Sequence, residues 1–180
     1  MKLSPARQLQ KGFTLIELLV VIGILGILAA ALIATIDPFE QLNKATDSTT
    51  VNTLTEYQNA LLRYYTNKGD MPWNDAVDKC YNGTQTNAIS SMLPLNPALS
   101  SCVVALVQES ELKQAFTTAT AALSQIYMAA DTDNNVTMCY KPISKSQQRN
   151  VNTKFDANGN LTTGCLSQTN PGVSCYWCTR

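Results

Sequence analysis

The run from Phe13 to Ile36 constrains this chain more than any other feature: Glu17 is its one charged residue, and Thr14 and Thr35 are its only other polar side chains. Coiled as an α-helix, it measures about 36 Å at ~1.5 Å per residue, enough to cross a hydrocarbon core ~30 Å thick. Lys2, Arg7 and Lys11 precede it, with no acid among residues 1–12. The positive-inside rule therefore predicts a single-pass inner or cytoplasmic membrane protein with its N-terminus in the cytoplasm and the rest outside. A cleavable secretory signal carries an apolar region of ~7–15 residues ahead of a small-x-small site. This run is longer, and the Ala29-Ala30-Ala31 that imitates such a site lies inside it. Two readings remain, an anchor that is never cut or a segment processed on its cytoplasmic side.

Glu17 separates them. A carboxylate a few residues into an apolar span is costly and by default functional, so it calls for a cation at the same depth. A free α-amino group made by cleavage just before Phe13, presented by a neighbouring copy, meets that need. Gly26, Ala30 and Ala34 recur every four residues, a small-residue stripe that lets helices approach closely, although Gly and Ala are common in membrane helices generally.

The stretch Lys11-Gly12-Phe13-Thr14-Leu15-Ile16-Glu17-Leu18-Leu19-Val20, with the apolar sequence that follows to Ala30, resembles the N-terminal signature of type IV prepilins and of the pseudopilins of type II secretion. The resemblance implies a prepilin peptidase that cuts between Gly12 and Phe13 and N-methylates Phe13, with Glu17 as the assembly residue. It also implies a pilin-like α+β fold, in which a long helix, first transmembrane and then amphipathic, packs on a small antiparallel sheet with extra helices. Implied partners are other copies and related pilins, the peptidase, the membrane and a pilus or secretion assembly platform. The function so implied is that of a structural filament subunit, with a secretion pseudopilin or a minor tip pilin for adhesion or DNA uptake as alternatives. The resemblance is strong to about residue 35 and weaker to about residue 73. Many pilins carry a proline in mid-helix, whereas here the nearest lies just past the run, at Pro38. The segments expected are a leader over 1–12, an assembly helix over 13–36, its amphipathic continuation over 37–68 and a globular head over 69–180.

Asp37-Pro38 suits a helix restart or kink, since proline fits the first helical position after an Asp cap. Phe39, Leu42, Val51, Leu54, Tyr57, Leu61 and Tyr64 keep three-to-four spacing, which predicts one apolar face ending near Lys68-Gly69. Tyr64 to Trp73 resembles the end of the long helix in pseudopilins and short pilins, with Met71 where an aromatic residue is usual. Residues 74–96 read as a loop, Cys102 to Val107 as a buried helix, and Leu112, Phe116, Ala119, Leu123, Ile126 and Tyr127 as a further helical face. Turn residues at 131–135 precede an alternating strand over 136–140. Strands around 152–155 and 174–178, with Leu161-Thr162-Thr163 returning after a turn at 156–160, complete a three- or four-stranded antiparallel sheet.

Six cysteines, Cys80, Cys102, Cys139, Cys165, Cys175 and Cys178, all follow the apolar run. An even number on the outer side reads as disulfides. Proximity pairs Cys80 with Cys102 and leaves the other four to staple the C-terminal sheet. Cys175-x-x-Cys178 lacks the second close pair a Cys₄ zinc site uses, and it lies far from a thioredoxin-like helix start. With no histidine in the chain, Ser-His-Asp and Cys-His catalysis are excluded, and no P-loop, Gly-x-Ser-x-Gly elbow or Gly-rich dinucleotide turn appears. No enzyme activity and no cofactor are expected. Asp131/Asp133/Asn135 and Asp156/Asn158/Asn160 alternate oxygen ligands as a calcium loop begins, yet lack its closing Glu and equally suit turns. Lys141, Lys145, Arg149 and Arg180 form the one basic cluster with which nucleic acid is considered, against a net charge of zero.

Overall fold

The computed structural model describes residues 12–35, 37–74, 79–81, 88–162, 165 and 174–179. The chain divides into two compact units, Met1–Pro38 and Phe39–Arg180. The described part of the first unit is dominated by helix α1 (Leu15–Thr35). Its apolar side chains are exposed all round, as in a helix without a protein core of its own.

The second unit begins with α2 (Pro38–Lys68) and continues through β1 (Ile89–Pro94), α3 (Ser100–Gln108), α4 (Ala115–Thr118), α5 (Thr120–Leu123), β2 (Ile126–Ala130), β3 (Val136–Tyr140), α6 (Lys145–Gln148), β4 (Thr153–Phe155) and β5 (Tyr176–Thr179). Proline at the first position and Gly69 just past the last residue bound α2. Gly69 takes the left-handed φ of 79° that favours glycine there, and its N–H bonds the Tyr65 carbonyl at 2.8 Å.

The strands form one antiparallel sheet in the order β1-β2-β3-β5-β4. Alternation along β2 turns Ile126, Met128 and Ala130 to the same face as Met138 and Tyr140 of β3. That face joins Leu54, Tyr57, Ala60, Leu61 and Tyr64 of α2 and Cys102, Val103 and Leu106 of α3 in the main core, which also takes in Met71 and Trp73. Each large apolar side chain buried there contributes about 1.5–3 kcal/mol. A smaller cluster holds Cys139, Phe155 and Cys178, with Met92 and Tyr176 packed against it.

Disulfides join Cys80 to Cys102, Cys139 to Cys178 and Cys165 to Cys175. Cys139 and Cys178 face each other directly in the β3–β5 register, so the second bond ties the C-terminal strand into the middle of the sheet.

Several sequence expectations are corrected. The sheet has five strands rather than three or four, because β1 lies within residues 74–96, read as a loop. Its Ile89-Ser-Ser-Met-Leu-Pro sequence hides the alternation, and its pairing with β2 shifts register between Ile89 and Leu93. The helical face expected from Leu112 to Tyr127 is instead two single-turn helices followed by a strand. Ala119, with ψ of 39°, breaks the helix, and Ile126 and Tyr127 pair with Tyr140 and Cys139. Of the apolar face expected along the continuation helix, Leu54, Tyr57, Leu61 and Tyr64 are buried, whereas Phe39 and Leu42 are 76% and 64% exposed. The return segment places Leu161 in a bridge to Phe155, and the Thr162 N–H bonds the Lys154 carbonyl at 2.9 Å. Thr163 lies outside the described residues.

Candidate functional site

The first turn of α1 is where sequence reasoning placed the chemistry, and Thr14 and Glu17 meet there. The Glu17 Oε2 accepts the Thr14 N–H at 2.9 Å and the Thr14 hydroxyl at 2.6 Å, while the Glu17 N–H lies 3.3 Å from Thr14 Oγ1. This is a capping box: the threonine side chain and the glutamate three residues on reciprocally satisfy backbone donors that an α-helix start leaves without partners. Sequence reasoning treated Glu17 only as a charge awaiting a distant partner. The Thr14-x-x-Glu17 spacing before an apolar run was the signal for its local role. Every atom of the box belongs to residues 14–17, so a cut between Gly12 and Phe13 would leave it whole. The bonds to the carboxylate fall on Oε2, so Oε1 keeps its acceptor capacity.

Phe13 precedes the box and is 78% exposed. Behind it, Leu15–Ile33 is long and apolar enough to cross a membrane. A Cβ built on Gly23 or Gly26 meets nothing within 4 Å, so nothing in the chain's own fold demands glycine at either position. Ala30 is exposed on the same helix. Ala34 is helical, but its side chain lies outside the described residues, as do Lys2, Arg7 and Lys11.

The second unit has a polar feature that sequence reasoning missed. Asp47 is 2% exposed on α2, and its carboxylate accepts the N–H groups of Ile143 and Ser144 at 3.1 and 2.8 Å and the Ser144 hydroxyl at 2.5 Å. Two turns earlier, Glu40 accepts the N–H groups of Lys145 and Ser146 at 3.1 and 3.3 Å. These two acids clamp residues 143–146, which lead out of β3 into the first turn of α6, onto the start of α2. No local pattern announces the pairing, since its partners lie about a hundred residues apart. At the other end of α2, the Arg63 guanidinium holds the Glu111 carboxylate at 2.9 Å and the Glu111 carbonyl at 2.6 Å.

The two calcium-like turns are occupied by their own backbone. Asp131 Oδ1 accepts the N–H groups of Asp133 and Asn135, each at 2.9 Å, and Asp131 Oδ2 accepts the Asn135 amide. These bonds, the Asn135 side chain foremost, hold the Asp131 carboxyl below its usual range. Asp156 Oδ1 likewise accepts the N–H groups of Asn158 and Asn160 at 2.8 and 2.9 Å. Among the described residues no group of three or more His, Cys, Asp or Glu side chains is placed to hold a metal ion. In the basic cluster, Lys141 donates to the Ser174 hydroxyl at 3.0 Å, Lys145 and Arg149 are exposed, and Arg180 lies outside the described residues.

Comparison with known proteins agrees with the reading of the N-terminus. The model of the prokaryotic N-terminal methylation motif matches residues 7–33. The chain is also similar to a fimbrial protein, EcpC of Eikenella corrodens, at 35% identity over 86 residues, covering 46% of this chain and 55% of that one. It thus spans little more than half the length of that relative. No solved structure matches.

Proposed function

From the match to the prokaryotic N-terminal methylation motif and the likeness to a fimbrial protein, we propose that this chain is a type IV pilin-like structural subunit of an extracytoplasmic filament. The precursor sits in the membrane with residues 1–12 in the cytoplasm, and prepilin peptidase cuts it after Gly12 and methylates Phe13. The mature α1 then leaves the bilayer and packs with the α1 helices of other copies. An assembly platform in the membrane drives that step, and no catalysis by the chain itself is needed.

The observation that carries this reading is Glu17, a carboxylate inside a span that is otherwise apolar and exposed. In a dry bundle a lone charge is strongly destabilising, whereas a paired one is tolerated. Cleavage creates the missing cation, the α-amine of Phe13. With Thr14 on Oε2, the other oxygen of Glu17 is available to the amine of an adjacent subunit. Processing and assembly thereby become one electrostatic event.

The test replaces Glu17 with Ala or Leu in the full chain. Membrane insertion should persist, and filaments should disappear. Normal filaments from either variant would remove charge pairing from the mechanism. Mass spectrometry of the mature N-terminus supplies the independent check: it should begin at methylated Phe13, and a chain retaining residues 1–12 would be an uncut anchor.

A further inference from the structure

The segment from Lys141 to Val151 holds three cations, Lys141, Lys145 and Arg149, and no acid. All three are exposed, and on the same segment Ile143 and Val151 are 44% and 76% exposed. Assembly through α1 uses none of these side chains. Long cationic side chains beside exposed aliphatic ones suit a boundary between water and an apolar phase, where the stems lie against apolar groups and the charges meet anions.

The acids that adjoin this segment are engaged by its backbone. Asp47 is 2% exposed and Glu40 is partly buried, and both carboxylates accept N–H groups of residues 143–146. Over residues 37–48 and 141–151 the exposed charges are therefore Lys44, Lys141, Lys145 and Arg149 against Asp37. The same bonds limit where the segment sits. Glu40 stands four residues past Ile36, the end of the apolar run, and four residues span at most about 14 Å even when fully extended. The Glu40 carboxylate accepts the Lys145 N–H at 3.1 Å, so Lys145 stays near the membrane surface whatever the angle between the two units. Headgroups reach about 5–7 Å past the hydrocarbon, and their potential extends a further ~10 Å at 0.1 M salt.

We propose that, in the membrane-inserted precursor, this segment docks on the headgroups of anionic phospholipids, with Ile143 entering the interfacial layer. The inference rests on the reading of the chain as an inserted precursor and adds a second membrane contact, made by the head. Nucleic acid offers the same phosphate chemistry, but lipid is the phosphate that the chain itself holds within reach. Each cation strengthens binding to an anionic membrane about fivefold. Three such cations hold the head down reversibly, so it can lift off when the subunit leaves the bilayer.

The experiment places a benzophenone amino acid at position 143 of the full chain, in nanodiscs of phosphatidylcholine alone or mixed with phosphatidylglycerol. Illumination should give phospholipid adducts at 143, at least about fivefold more in the mixed discs, and none from a probe at Thr66, near the far end of α2. Lys145→Gln with Arg149→Gln should lower the yield about fivefold for each cation removed, with the disulfides intact. A probe at Val21 of α1 tests the premise. Lipid adducts there without any at 143 overturn this inference and leave the inserted precursor standing, whereas none at either site overturns both. Equal yields in the two lipids, or adducts only to another copy of the chain, also overturn it. So does loss of the lipid adducts on adding duplex DNA at equal phosphate concentration, which would make nucleic acid the occupant.

Discussion

The carboxylate of Asp47 on α2 accepts both the backbone N–H and the hydroxyl of Ser144, a residue 97 positions further along the chain. Both residues are buried, and Ser144 in turn caps α6, its side chain accepting the Gln147 N–H. One acid thereby fixes the crossing between the long helix and the segment leaving β3. Asp47→Ala would remove the acceptor of the Ile143 and Ser144 N–H groups and of the Ser144 hydroxyl. We predict a loss of about 3 kcal/mol, read by urea unfolding of residues 39–180, with a smaller loss for Asp47→Asn, whose amide oxygen still accepts.

Tyr57 presents the opposite case. It is fully buried on α2, and among the described residues its hydroxyl has no hydrogen-bond partner. Burial pushes its ionisation well above the ordinary tyrosine value. Tyr57→Phe should leave stability unchanged or raise it by up to about 1 kcal/mol, since it removes only an unsatisfied polar group. Tyr57→Ala should cost about 3–5 kcal/mol through the cavity it opens. A marked loss from the Phe variant in thermal unfolding would contradict this account.

Tyr140 gives a pH dependence. Burial first, and the nearby charge of Asp47 second, push its hydroxyl up to about 12 from an ordinary 10.0. The folded pKa lies above the unfolded one, so the contribution to stability is whole below pH 10 and is lost as pH rises towards about 12. Phenolate absorbance of the folded head should show Tyr140 titrating late. Tyr140→Phe should flatten the alkaline fall in stability and leave the curve near pH 7 in shape.

Gly159 is buried with φ of 76°, and a Cβ built there lies 2.5 Å from Met92 Cε and 3.6 Å from Thr137 Cγ2. Its turn packs down against β1 and β3. Gly159→Ala should destabilise by about 1–3 kcal/mol, combining left-handed strain with the displaced methionine. Adding Met92→Ala should recover only the steric share, and full recovery would show that φ has no part in the loss.

The first unit was legible because its rules are local. A membrane-length apolar run, a lone glutamate and a glycine ahead of phenylalanine are linear features, and Thr14-x-x-Glu17 was as plain, though its meaning as a cap went unread. The limits of α2 were legible too, since proline and glycine act on their own dihedral angles. β1 was not: as an edge strand with serines and an irregular register, it owes its form to pairing with β2. Ile126 and Tyr127 suited a helical face equally well, and only their partners across the hairpin made them a strand.

By itself, then, the sequence determined that this chain has an N-terminal run long and apolar enough to cross a membrane, carrying one carboxylate, followed by a portion with six cysteines. Solvent transfer energies and backbone dihedrals depend on neighbours a few residues away. Only the tertiary structure decided which cysteines meet, that Asp47 and Glu40 are clamps, and that Phe39 and Leu42 stay exposed while Leu54, Tyr57, Leu61 and Tyr64 close into the core. Those outcomes depend on what lies opposite in space, and helical spacing alone cannot distinguish apolar positions that the head covers from those it leaves exposed.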